Sequence, residues 1–190
     1  MRIALQDISM EQLVNPQPLM DVVRAMLHYG PFVYPTLRKH VGWMVIPMFN
    51  FPSSSVIQHL ASWLHEHGDD HLFVYDLEVR KGYRLDLQMD ELLRWYPKYG
   101  AFETAFFDAD VNWFLYNYYS DFFLVAGPPE ILALFSEGQS IESMFAQYIH
   151  DVKDTHEGQY KDCHLSICLP LEYDNAEAVP GEWVSLNYNF

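Results

Sequence analysis

The sequence predicts an α+β fold: mainly an antiparallel sheet built from hairpins, with several packed helices. Three observations carry that reading. Phe73, Tyr75, Leu77 and Val79 alternate with Leu72, Val74, Asp76, Glu78 and Arg80, and period two resumes after Lys81-Gly82 with Tyr83, Leu85 and Leu87. This is the pattern of a hairpin with one wet face. Two apolar runs, Trp113–Tyr119 and Phe122–Ala126, are joined only by Ser120-Asp121. Finally, Ile141, Met144, Phe145, Tyr148, Ile149 and Val152 fall at helical spacing behind a capping Ser140.

The other elements follow in chain order. Pro18 suits a first helical position and Gly30 a left-handed stop, so Leu19, Val22, Val23, Met26 and Leu27 predict a helix over 18–29. Residues 31–52 mix prolines with short apolar runs and hold one strand near Trp43–Ile46. Ser53-Ser54-Ser55 supply an N-cap for a helix carrying Val56, Leu60, Trp63, Leu64 and His67 on one stripe, stopped by Gly68. A short helix over Asp90–Tyr96 ends at Pro97. Thr104–Phe107 reads as a strand, and Pro128-Pro129-Glu130 opens a helix that runs to Phe135. Cys163–Leu169 and Trp183–Tyr188 read as late strands around an acidic loop.

At 190 residues the chain suits a single globular domain, 1–190. Half of it is hydrophobic and 16% aromatic, which excludes a disordered chain. No apolar run approaches the roughly 18 residues of a membrane span. Met1 to Asp7 meets an acid early and has no secretory apolar stretch, so the expected location is cytoplasmic. Cys163 and Cys168 are too few for a disulfide scaffold.

Charge is divided unevenly. Residues 1–100 carry eleven acids and nine bases, a net −2, whereas residues 101–190 carry fifteen acids against Lys153 and Lys161 alone, a net −13. A nucleic-acid binder needs cations to neutralise phosphate, so that class is excluded. An acidic field instead draws cationic partners and speeds their association.

Three clusters invite chemistry. His65-Glu66-His67-Gly68-Asp69-Asp70-His71 nearly spells the His-x-His-x-Asp-His motif of metallo-β-lactamase-like hydrolases, with Asp70 as an extra residue. It ends a helix rather than following a strand, and histidines in a last turn suit the helix dipole. Asp108-Ala109-Asp110-Val111-Asn112 opens like a calcium loop, but Trp113 stands where glycine is needed and Tyr119 where glutamate is needed. An acidic turn is the expectation there. Cys163 and Cys168, five apart on a strand, point to opposite faces and do not converge on a metal. No serine elbow, Walker loop or dinucleotide fingerprint is present, so no cofactor is expected.

The stretch from Trp113 to Gly127 is apolar or aromatic on both strand faces, which places it centrally. A tryptophan entering a strand, a short acidic turn and an apolar strand closing in glycine resembles the small bacterial immunity proteins of polymorphic toxin systems. The resemblance covers about fifteen residues. It implies an α+β protein that binds and blocks a cognate toxin domain, often a cationic nuclease.

The reading is therefore a non-enzymatic acidic protein of the toxin-neutralising kind that binds a basic partner. Its partner-binding acids are the turn residues Asp108, Asp110 and Asp121, whose side chains are expected to reach solvent, and the loop residues Glu172, Asp174 and Glu177. Two alternatives stand beside it: a metal-dependent hydrolase using His65, His67, Asp69 and His71, and an acidic cytosolic adaptor with no toxin partner. The single-domain expectation has a direct measurement. Circular dichroism during urea unfolding should show one cooperative transition, whereas two midpoints would divide the chain.

Overall fold

The computed structural model describes residues 12–29, 35–37, 43–50, 52–86, 103–119 and 122–155. Its strands are β1 (Gln12–Val14), β2 (Leu27–Tyr29), β3 (Pro35–Leu37), β4 (Met44–Met48), β5 (His71–Asp76), β6 (Lys81–Asp86), β7 (Thr104–Phe107), β8 (Phe114–Tyr118) and β9 (Phe122–Gly127). The helices are α1 (Pro16–Met26), α2 (Ser54–Glu66), α3 (Pro129–Phe135) and α4 (Ile141–Thr155). Seven strands join in the order β1-β6-β5-β7-β8-β9-β4, and β2 pairs with β3 separately. Every pairing is antiparallel, so the expected α+β class is the observed one.

Both faces of the central strands are covered. β7 and β9 are buried at every position, and β8 at all but Tyr118. Register carries Phe73 onto Phe107 and Phe107 onto Phe114, whose rings meet across the strands on one face at 6.3 and 5.8 Å between centroids, the first pair tilted and the second stacked. Leu72, Val74, Phe106, Leu115 and Val125 fill the opposite face. Hence β8 and β9 lie in the interior of the sheet, as their composition predicts. The expected wet face of the first hairpin is not found in β5: Leu72, Val74 and Asp76 are buried on one side and Tyr75 on the other. Pro47 lies in β4, which among the described residues pairs with β9 alone. An edge is where a strand tolerates a residue without an N–H.

That hairpin also turns earlier than its glycine suggests. Asp76 Oδ1 accepts hydrogen bonds from the amides of Glu78 and Val79, both at 3.0 Å, and Arg80 takes a left-handed φ of 56°. The aspartate makes the turn over 77–80, and Lys81 and Gly82 enter β6. Gly82 serves packing instead. A Cβ there would lie 2.9 Å from Leu19 Cδ2 and 3.3 Å from both Pro16 Cα and Val14 Cγ2, so α1 sits almost on the strand backbone.

α1 begins at Pro16, capped by Asn15, whose side chain accepts from the Gln17 amide at 3.1 Å. Both prolines thus stand in the first turn, where a missing N–H is harmless. The helix ends at Met26, not at 29, because Leu27 is extended and residues 27–29 form β2. α2 has its expected bounds: Ser53 Oγ accepts from the Val56 amide at 3.3 Å, and Gly68 follows the last turn at φ 89°. α3 packs on β9 and β4, α4 on β4, and α1 on β5 and β6. No described helix is long and apolar enough to cross a membrane. The expected helix over 90–96 and the expected strands over 163–169 and 183–188 lie outside the described residues.

The close approach of α1 is testable. Gly82→Val should lower the unfolding free energy by about 1–3 kcal/mol in urea denaturation, through overpacking. Leu19→Ala added to that variant should recover part of the loss; simple additivity of the two losses would contradict the contact.

Candidate functional site

Sheet geometry sorts the polar groups into two ends. β7 starts with Thr104 opposite Asn117 and finishes with Phe107 opposite Phe114. The turn after β7 and the connection between β8 and β9 therefore lie at opposite ends of the strands.

At the first end, Asp76, Thr104 and Asn117 are register partners across β5, β7 and β8 and are all buried. Asn117 Nδ2 donates to Thr104 Oγ1 at 3.2 Å, while Asp76 supports its turn. Glu103 Oε1 accepts from the buried Tyr116 hydroxyl at 2.6 Å. Above this row Tyr119, at φ 49°, is 44% exposed, and Val79 in the neighbouring turn is 52% exposed. Partial burial pushes the Tyr119 phenol up, and the negative charges of Glu103, Glu78 and Asp76 push it further. The arrangement is an exposed, neutral aromatic within the field of three carboxylates. An aromatic bordered by acids is legible in the sequence, but these particular acids are not: Glu78 and Glu103 are brought to Tyr119 by strand pairing alone.

The second end holds Asp108. Its expected solvent exposure is corrected here, since Asp108 is 0% exposed. Oδ1 accepts from the Asn112 amide at 2.7 Å and the Trp113 amide at 3.4 Å, and Oδ2 accepts from Asn112 Nδ2 at 2.6 Å. Val111 completes the turn at φ 55°. The carboxylate is committed to shaping the loop. Burial pushes its pKa up, against the lowering effect of the Asn112 hydrogen bonds. Asp110 in the same turn is exposed. Asp121, Glu172, Asp174 and Glu177 lie outside the described residues.

The histidine cluster disperses into local contacts. His67 stacks on Trp63 at 3.9 Å, and its Nδ1 lies 2.7 Å from the Trp63 carbonyl oxygen, one helical turn back. His71 stands in β5 with Nδ1 2.7 Å from Asp70 Oδ1, a hydrogen bond that lowers the Asp70 carboxyl pKa. His65 is exposed in the last turn of α2. Among the described residues no three metal-binding side chains converge. Cys163 and Cys168 lie outside them.

A cleft of about 290 Å³ opens between the end of β4, the start of α2, the turn after α3, and α4, with Phe49, Tyr148, Glu137 and Asp151 among its lining. Its only sequence trace is the Ser53–Ser55 cap, because residues more than eighty positions apart build it.

Set against family models, curated proteins and solved structures, the chain matches none.

Removing the loop carboxylate has two readouts. Asp108→Ala leaves buried donors without an acceptor and should cost about 1–3 kcal/mol of stability. Asp108→Asn should cost less and change the pH profile. With the folded pKa above the ordinary 3.8, the folded chain holds a proton that the unfolded chain has lost, so stability falls as pH rises through the folded value. Urea midpoints across acid pH should show that fall in the wild type and a flatter profile in Asp108→Asn.

Proposed function

We propose that this chain is a non-enzymatic acidic binding protein of the immunity kind, acting in the bacterial cytoplasm to neutralise a basic toxin domain. The observation that carries the reading is the charge division, fifteen acids against two lysines after residue 100. Such a field attracts a cationic protein before contact and stands in for the phosphates that a nuclease site is built to hold. Tyr119 lends support as an anchor. It offers large area at small entropic cost, amid Glu78 and Glu103. Asp110, Asp121, Glu172, Asp174 and Glu177 are the steering charges in this reading, while Asp108 shapes the turn that presents Asp110.

The experiment is capture of the partner from the native host at low and high salt, followed by stopped-flow association. A basic partner is expected, with an on-rate that falls as salt rises. Changing Asp110 and Asp121 to asparagine, or Glu172, Asp174 and Glu177 to the matching amides, should slow association several-fold and leave dissociation nearly unchanged. An acidic partner, or association indifferent to salt and to these changes, would overturn the proposal.

A further inference from the structure

The first turn of α2 carries no acid of its own, although a helix N-terminus is where a negative charge is most favourable. That charge arrives from elsewhere in the chain. Glu137, in the turn between α3 and α4, is exposed, and its Oε1 accepts hydrogen bonds from the hydroxyls of Ser53 and Ser55, the latter at 3.1 Å. Ser53 is the N-cap of α2 and Ser55 lies in its first turn, so the contact joins segments more than eighty positions apart.

The contact has a direction. A hydroxyl has one hydrogen to give and lone pairs to receive with, whereas an ionised carboxylate only accepts. With its hydrogen turned toward Glu137, Ser53 Oγ presents lone pairs to the Val56 amide, 3.3 Å away. Its carbonyl takes the Ile57 amide at 3.0 Å, and Ser55 Oγ lies 2.9 Å from Ser53 Oγ to close the group. The turn is shaped to match. Glu137 and Gly138 both lie in the left-handed region, at φ 49° and 87°, and the Gln139 amide donates to the Ser136 carbonyl at 2.9 Å. Glycine takes that conformation freely, but a glutamate does so at a cost, which the bonds to the two serines offset.

We propose that Glu137 is a latch: it caps α2 from outside the helix, so that the α3–α4 turn and the start of α2 open and close as one unit. Ser53 and Glu137 both line the cleft, and both are exposed, which makes the latch one edge of its mouth. Shut, it fixes that edge. Open, it takes a capping charge from α2 and leaves the turn without the contact that offsets its backbone. The device belongs to the frame of the cleft, and it stands apart from the proposed function because it requires no partner.

Amide hydrogen exchange on the full chain tests it from both sides. Glu137→Asn keeps a residue that tolerates the left-handed region, but its side chain is shorter and uncharged. It should speed exchange at the Val56 and Ile57 amides about threefold. Ser55→Ala should speed exchange at the Gln139 amide, across the contact, also about threefold. The double variant should exchange at Val56 little faster than Glu137→Asn alone, as two changes to one contact require. Glu137→Gly frees the backbone while removing the carboxylate, and faster exchange at Val56 in that variant separates the latch from backbone strain. The Leu115 amide in β8 should not respond to any of them. Unchanged exchange at Val56 and Ile57 in both Glu137 variants, a Gln139 amide indifferent to Ser55→Ala, rates that multiply in the double variant, or a uniform increase that includes Leu115 would overturn the proposal.

Discussion

Covering both faces of β7, β8 and β9 is the constraint on which the rest of this structure depends. A sheet buried on both sides has no solvent face for polar groups, so a polar group inside is costly unless it finds a partner within the fold. Thr104 and Asn117 answer each other across the β7–β8 pair, Tyr116 reaches Glu103, and Asp108 gathers the donors of its own turn. The aromatic residues that supply the buried area, Phe107 and Phe114 among them, stack only because register sets them opposite. Shifting one strand by a residue would exchange the two faces and break these polar pairings together.

Local chemistry made a large share of this legible. Ser53 and Gly68 bracket α2 because cap signals act within four residues, and the strands over 104–107 and 122–127 announce themselves by apolar runs. Where a local signal competed with a distant one, the reading failed. Lys81-Gly82 resembles a turn, but Asp76 makes the turn first and α1 requires the glycine. Asp108 resembles a surface acid because nothing in its neighbours reveals that its own turn folds over it. The cleft was illegible for a similar reason. Ser53, Glu137 and Asp151 meet only after β4, α3 and α4 have packed, and no spacing rule spans that separation.

Electrostatics and packing divide the acids into two populations. One, with Asp76 and Asp108, is buried and serves the backbone of turns. The other, with Asp110, Glu78 and the exposed Asp151 side chain, stands at the surface and can act on a visiting molecule. Net charge treats them alike; only the second population acts at full strength through solvent.

The proline in β4 limits what the border of the sheet can present. Pro47 removes a donor from one border of the sheet, and β1 at the other border is three residues long. Among the described residues, neither border offers a continuous backbone ladder to a visiting strand. What these borders present is then written in side chains, on a frame whose hydrogen bonding stays as it is. Single substitutions at these exposed positions change what the surface presents, with the folding left largely untouched.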